Sequence, residues 1–68
     1  MVPEVKELEE LREELGYSQE DVARMMDISL ATYSNWIHKG TEPSYKSLKL
    51  IQKWVGKLKE RKNEKIKS

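Results

Sequence analysis

Two serine-led helix starts, eleven residues apart, constrain the fold of this chain more than any other feature. Ser18 and Ser29 are both good N-cap residues, because a serine hydroxyl can accept an unpaired backbone N–H of the first turn. Asp21 follows Ser18 at the spacing of a capping box. A helix over about 19–26 and a second helix that is capped by Ser29 and runs to about His38 leave only Asp27, Ile28 and the cap Ser29 between them. Two helices joined so closely predict a helix-turn-helix.

The residues between and within the two helices agree with this prediction. Asp27 can make the sharp corner, since aspartate tolerates a left-handed backbone better than most residues. In each helix the apolar side chains recur at helical spacing and should face the core. These core-facing residues are Val22, Ala23 and Met26 in the first helix and Tyr33, Trp36 and Ile37 in the second.

A further helix is predicted on each side of the motif. The first runs from about Pro3 to Leu15 and ends at Gly16. Its second face is acidic, and we expect that face to lie in solvent. The last helix starts after Ser44, and Gly56 lies inside its pattern. Its predicted core stripe is Leu48, Ile51, Val55 and Leu58. Residues 59–68 are almost wholly polar and predict a basic tail that is either a helix extension or disordered.

The segments LGYSQEDVA and ISLATYSNW, followed by Gly40 and Pro43, resemble the Cro/repressor (XRE-like) helix-turn-helix family. The resemblance covers about residues 8–55, most of the chain. It implies an all-α, lambda-repressor-like domain of four helices, or five, over residues 1–58, and it implies binding to double-stranded DNA. This chain departs from the family pattern in three ways. Asp27 replaces the usual Gly, Ile37 replaces a frequent Glu, and the stretch 36–40 is one residue longer.

The formal net charge of +1 hides a strong asymmetry. Residues 1–27 hold nine acidic and three basic residues, a balance of −6, whereas residues 28–68 hold ten basic and three acidic residues, a balance of +7. The basic half begins with the second helix of the motif. Phosphate contacts dominate non-specific DNA affinity, so we expect this half to carry the binding side.

Elimination of the core-facing positions leaves an outward face on the second helix of the motif. The resemblance implies that the first, second and sixth positions of this helix, Leu30, Ala31 and Asn35, often reach bases. Among them Asn35 is the strongest candidate, because an amide can pair with two atoms of adenine. The apolar Leu30 and Ala31 can only pack on thymine methyl groups, which predicts few base hydrogen bonds and a preference for A·T-rich sites. Together the candidate base contacts are Leu30, Ala31, Ser34 and Asn35. The resemblance also implies that the start of the first motif helix and the loop before the last helix contact the DNA backbone. The candidate phosphate contacts are Gln19, Ser29, Thr32, His38, Lys39, Ser44 and Lys46.

Other classes of function find little support in the sequence. There is no cysteine and a single histidine, so neither a metal site nor a nucleophile backed by a base is indicated. We expect no catalytic residue, no cofactor, no small-molecule substrate and no membrane segment. The prediction is a small transcriptional regulator in the cytoplasm, associated with the nucleoid. A protein-interaction module of antitoxin-like or regulator-binding type is the alternative. A homodimer stays open, and Trp54 would be a dimer contact if exposed.

Overall fold

The computed structural model describes the backbone of residues 2–67 and the side chains of residues 2–64. Within that part of the chain the protein is all-α, as predicted, with helices joined by short turns. The four helices are α1 (Pro3–Leu15), α2 (Gln19–Met25), α3 (Leu30–His38) and α4 (Tyr45–Lys67). The α2–α3 pair is the predicted helix-turn-helix.

Two residues with left-handed backbone set the angles between the first three helices. Gly16 has φ 78° and Asp27 has φ 58°. After Gly16 the Tyr17 N–H returns to the Arg12 carbonyl at 3.0 Å, and after Asp27 the Ile28 N–H returns to the Ala23 carbonyl, also at 3.0 Å. Both are Schellman endings. The prediction that Asp27 forms the corner is therefore confirmed.

The starts of α2 and α3 are capped by the predicted serines. The Ser18 hydroxyl accepts the Asp21 N–H, and the Asp21 carboxylate accepts the Ser18 N–H at 2.9 Å. These two bonds form the predicted capping box. Ser29 caps α3 by accepting the Thr32 N–H at 3.1 Å. Such caps satisfy backbone donors that have no partner inside the helix.

The core lies where the helices meet, with α1 packed along α4 and α2 packed on α3. All six residues predicted to face inward from α2 and α3 are buried or packed against the core. The fully or nearly fully buried residues are Val5, Leu8, Leu11, Val22, Ala23, Met26, Tyr33, Trp36, Ile51, Val55 and Leu58. Leu48 is only half-buried, so the core stripe of α4 begins one turn later than predicted, at Ile51. Leu50 and Trp54 pack beside that stripe as half-buried residues.

The long helix α4 continues through Gly56 and includes residues 59–67. Its 23 residues span about 35 Å at the usual rise per residue, close to the 37 Å length of the molecule. Two ion pairs hold its second half against α1. Lys59 Nζ lies 3.5 Å from Glu7 Oε2, and Lys62 Nζ lies 2.5 Å from Glu14 Oε2.

Candidate nucleic-acid interface

The outer face of α3 is available to a ligand because its inner face is fixed in the core. Tyr33 and Trp36 are buried, and their rings pack in a tilted pair with centroids 6.1 Å apart. Leu30 is 45% exposed, Ala31 and His38 are also exposed, and Ser34 and Asn35 are half-buried. The helix contains no lysine, arginine, aspartate or glutamate. Its outer face therefore consists of small, polar or apolar side chains, without lysine, arginine or a carboxylate.

Both ends of α3 are tied down by hydrogen bonds. At its start the hydroxyls of Ser29 and Thr32 lie 2.8 Å apart in a shared hydrogen bond. At its end the Asn35 carbonyl accepts N–H groups from Lys39 and Thr41, and Gly40 between them has φ 67°. This turn leaves Lys39 exposed at the end of the helix. The side chain of Asn35 is not needed for either backbone bond.

A half-buried polar cluster, centred on Glu9, ties α3 to α1 and to the start of α2. The Glu9 carboxylate accepts the Tyr33 hydroxyl at 2.5 Å and the Arg12 Nε–H at 2.7 Å. It also accepts the Gln19 amide at 3.5 Å, and Arg12 donates onward to the Tyr17 carbonyl at 2.7 Å. Glu9 is thus a structural link among three helices. The expectation that the acidic face of α1 lies in solvent is wrong for this residue, whose side chain is only 13% exposed.

The charges of this cluster are stabilised by the cluster itself. Burial alone would raise the pKa of Glu9, but the hydrogen bonds from Arg12 and Tyr33 and the charge of Arg12 outweigh burial and lower that pKa. The hydrogen bond with Glu9 raises the pKa of Arg12. Burial, and then the bond with Glu9, raise the pKa of Tyr33. The cluster is therefore an ionised carboxylate–guanidinium pair with a neutral tyrosine donor.

Gln19, a candidate phosphate contact, lies beside this cluster. Its side chain is half-buried, and one amide N–H is directed at Glu9. A glutamine amide carries two hydrogens, so the second N–H remains for an external acceptor. The sequence pattern did not indicate this internal partner. The positions of Glu9 and Arg12, at i and i+3 on one helix, suggest an ion pair, but nothing local suggests its bond to Tyr33.

Two sets of basic residues in the second half of the chain differ in their surroundings. Lys59 and Lys62 pair with acids of α1, and Arg61 donates to the Tyr17 hydroxyl at 3.3 Å. These three side chains therefore make contacts within the protein, and the expectation that the basic half carries the binding side stays a prediction. Lys39 and Lys46, by contrast, are exposed near the end of α3 and the start of α4. The remaining candidate, Ser44, is exposed and accepts the Ser47 N–H at 3.3 Å.

The helix-turn-helix family matches the chain over residues 8–53. This range contains most of α1, the whole of α2 and α3, and the first part of α4. The chain belongs to the Cro/repressor (XRE) type of that family.

This family consists of DNA-binding regulators, so the general class of this helix-turn-helix protein is that of a DNA-binding regulator. No curated protein and no solved structure matches the chain. The family match covers the whole motif and leaves the DNA sequence and the individual contacts open.

In this helix-turn-helix protein, a metal site or a membrane span would each require a specific arrangement of residues. Among its described residues, no three histidine, aspartate or glutamate side chains are grouped as a metal ion would need. Within residues 2–67, no helix combines the length and the apolar character required to cross a bilayer.

Proposed function

We propose that this protein binds double-stranded DNA sequence-specifically, as a small transcriptional regulator, by placing α3 in the major groove. The observation that carries the proposal is the division of α3 into two faces. Tyr33 and Trp36 hold one face in the core, while the other remains open and almost uncharged. A helix of about 10–12 Å diameter fits the major groove, where each base pair presents a distinct pattern of donors and acceptors.

Base reading rests chiefly on Asn35 in this proposal. Its side-chain amide can donate to and accept from adenine, and such a pair discriminates by about 1–3 kcal/mol. Leu30 and Ala31 lie exposed at the start of α3 and offer apolar contact to thymine methyl groups, and Ser34 adds one hydroxyl. The protein should therefore prefer A·T-rich sites and make few direct base hydrogen bonds.

The phosphate contacts should flank α3 on both sides. Gln19 can use its second amide N–H, since Glu9 already orients the side chain. Lys39, after the end of α3, and Lys46, in the first turn of α4, supply positive charge. Glu42, exposed in the loop between them, carries a negative charge that partly offsets theirs. Ser29, Thr32, His38 and Ser44 are the remaining proposed contacts.

In-vitro selection from a random duplex pool at near-physiological salt tests this proposal. An A·T-rich motif is expected, and a palindromic one would also indicate a homodimer with half-sites about one helical turn apart.

Asn35→Ala should relax the preference at one position without unfolding the chain, because only its backbone carbonyl bonds within the fold. Asn63→Ala, an exposed change of the same chemistry on α4, serves as the control. Failure to retain any duplex would refute the proposal.

A protein-binding role for the same face of α3 is the second candidate. The observation in its favour is Leu30, one of two large exposed hydrophobic residues among those the structure describes. An apolar protein interface would be damaged by Leu30→Glu and would depend little on salt. DNA binding instead must weaken steeply as salt is raised.

A further inference from the structure

A groove between the α2–α3 turn and α4 has an apolar floor and a basic rim. Met26, Ile28 and Leu50 supply the floor, and Lys46, Lys49 and Lys53 stand along the α4 side. Asp27 and Ser47 complete the lining, and the groove encloses about 550 Å³. We call this surface the α4 groove.

The α4 groove continues along α4 toward its second half. Lys46, Leu50, Lys53 and Lys57 follow one another at spacings of four, three and four residues, which places them on one face of the helix. Trp54 lies beside this row and is half-buried. Lys57 Nζ lies 4.8 Å from the centre of the Trp54 ring, and Arg61 Cζ lies 6.0 Å from it. The face therefore alternates apolar and cationic groups.

The positive charge of this face is not neutralised inside the protein. Lys46, Lys49, Lys53 and Lys57 form no ion pair with any carboxylate among residues 2–64. The lysines of the next turns differ, since Lys59 and Lys62 pair with α1. Of the four lysines, three line the groove, against a single aspartate.

From this combination we infer that the α4 groove is a docking surface for an acidic amphipathic helix of a partner protein. Apolar side chains of such a helix would lie on Leu50, Ile28 and Met26, and its flanking carboxylates would face the lysines. Bare phosphate would use the lysines but leave the apolar floor without a role. A second copy of this chain fits poorly, because the acidic helix α1 has already buried Val5, Leu8 and Leu11 in its own core.

The test uses the full chain, labelled with ¹⁵N, and a short synthetic helix peptide with leucines on one face and glutamates on the flanks. A permuted peptide of identical composition, with its leucines scattered round the helix, is the control. We expect the amphipathic peptide to shift the amide signals of residues 26–28 and 46–57 and to bind about ten-fold more tightly than the permuted one, a difference of about 1.4 kcal/mol.

Variants of α4 test separately the apolar floor of the groove and its lysines. Leu50→Glu should weaken peptide binding by about ten-fold. Gln52→Glu introduces the same residue on another, exposed face of α4 and should leave affinity unchanged. Because Leu50 also packs on the core, Lys53→Glu provides a second variant at an exposed position, and it too should weaken binding.

Four outcomes would overturn the inference. They are absence of binding by the amphipathic peptide, equal binding of both peptides, concentration-dependent shifts of the same signals without peptide, and equal shifts of residues 49–57 and of α3 by random-sequence duplex DNA. Residue 46 is left out of the DNA comparison, because Lys46 is itself a proposed phosphate contact. The third would assign the face to a second copy of this chain, and the last would assign it to DNA. Neither depends on whether α3 reads specific bases, so the proposed function is tested separately.

Discussion

Asp27 adopts a left-handed backbone in the turn between α2 and α3 although it carries a Cβ atom. Its φ of 58° places it in the left-handed region, where its N–H and that of Ile28 close the end of α2. A left-handed conformation costs an ordinary L-residue roughly 1–2 kcal/mol, and aspartate less. The left-handed conformation of Asp27 therefore lowers the free energy of unfolding.

Replacement of Asp27 by glycine should therefore stabilise the protein. We expect Asp27→Gly to raise the free energy of unfolding by about 0.5–1 kcal/mol, because glycine has no steric penalty at this φ. Asp27→Ala, which keeps the Cβ and loses the polar group, should lower it. Urea unfolding of the three proteins measures both changes, and equal stability of the two variants would refute the backbone explanation.

Glu9 makes stability depend on pH, and the sign follows from its lowered pKa. In the unfolded chain Glu9 takes up a proton near its ordinary pKa of 4.5, whereas in the folded protein it stays ionised to lower pH. As pH falls, the unfolded state therefore takes up a proton at Glu9 before the folded state does. The stability that ionised Glu9 contributes is lost as pH falls below 4.5 and through the lower pKa of the folded protein. We expect the urea midpoint to fall in this acid range.

Glu9→Gln should flatten that acid dependence and should also destabilise the protein at neutral pH, since Arg12 loses the nearer and less exposed of its two carboxylate partners. Glu10→Gln removes a carboxylate from an exposed neighbouring position and is the matched control. Asp21 also has a lowered pKa, owing to its hydrogen bonds with Ser18, so part of the dependence should remain in the variant. Identical pH profiles for the two glutamine variants would contradict the role given to Glu9.

At the scale of the helices, two glycines in open surroundings should respond oppositely to alanine. A Cβ would meet no atom within 4 Å at either Gly16 or Gly56. Gly56 lies within α4, where glycine is about 0.5–1 kcal/mol less favourable than alanine. Gly16 has φ 78°, which alanine adopts only with strain.

We therefore expect Gly56→Ala to raise the free energy of unfolding by about 0.5–1 kcal/mol and Gly16→Ala to lower it by a comparable amount. Thermal melts followed by helical circular dichroism compare the two. Destabilisation by Gly56→Ala would mean that this position lies against something other than solvent.

The helices were predictable because their signals are local. Serine caps, the Gly16 ending and apolar spacing each act within one or two turns, and the structure places α1 over the predicted Pro3–Leu15. The Glu9 cluster was not predictable, because its bond to Tyr33 joins residues 24 positions apart. The orientation of Lys59 and Lys62 likewise depends on how α4 packs on α1. Local pattern thus identifies the outer face of α3 but not the residues that hold it in place.

For the molecule as a whole, four of the lysines form two groups that should differ in function. Lys59 and Lys62 pair with exposed acids of α1, an arrangement that typically stabilises by about 0–1 kcal/mol per pair. Lys39 and Lys46 are exposed after the end of α3 and in the first turn of α4, and they are proposed to meet phosphates. Net charge changes equally when a lysine of either group is removed, so position rather than charge should decide the effect on DNA.

We expect Lys46→Ala to weaken binding to specific and random duplexes alike and to reduce the slope of log affinity against log salt by about 0.9, the value for one lost phosphate contact. Lys62→Ala should leave that slope unchanged and lower only the stability of the α1–α4 contact. Fluorescence anisotropy with labelled duplexes across a salt series gives both slopes. If Lys62→Ala reduced the slope as much as Lys46→Ala, DNA would be following the overall positive charge of α4 rather than the neighbourhood of α3.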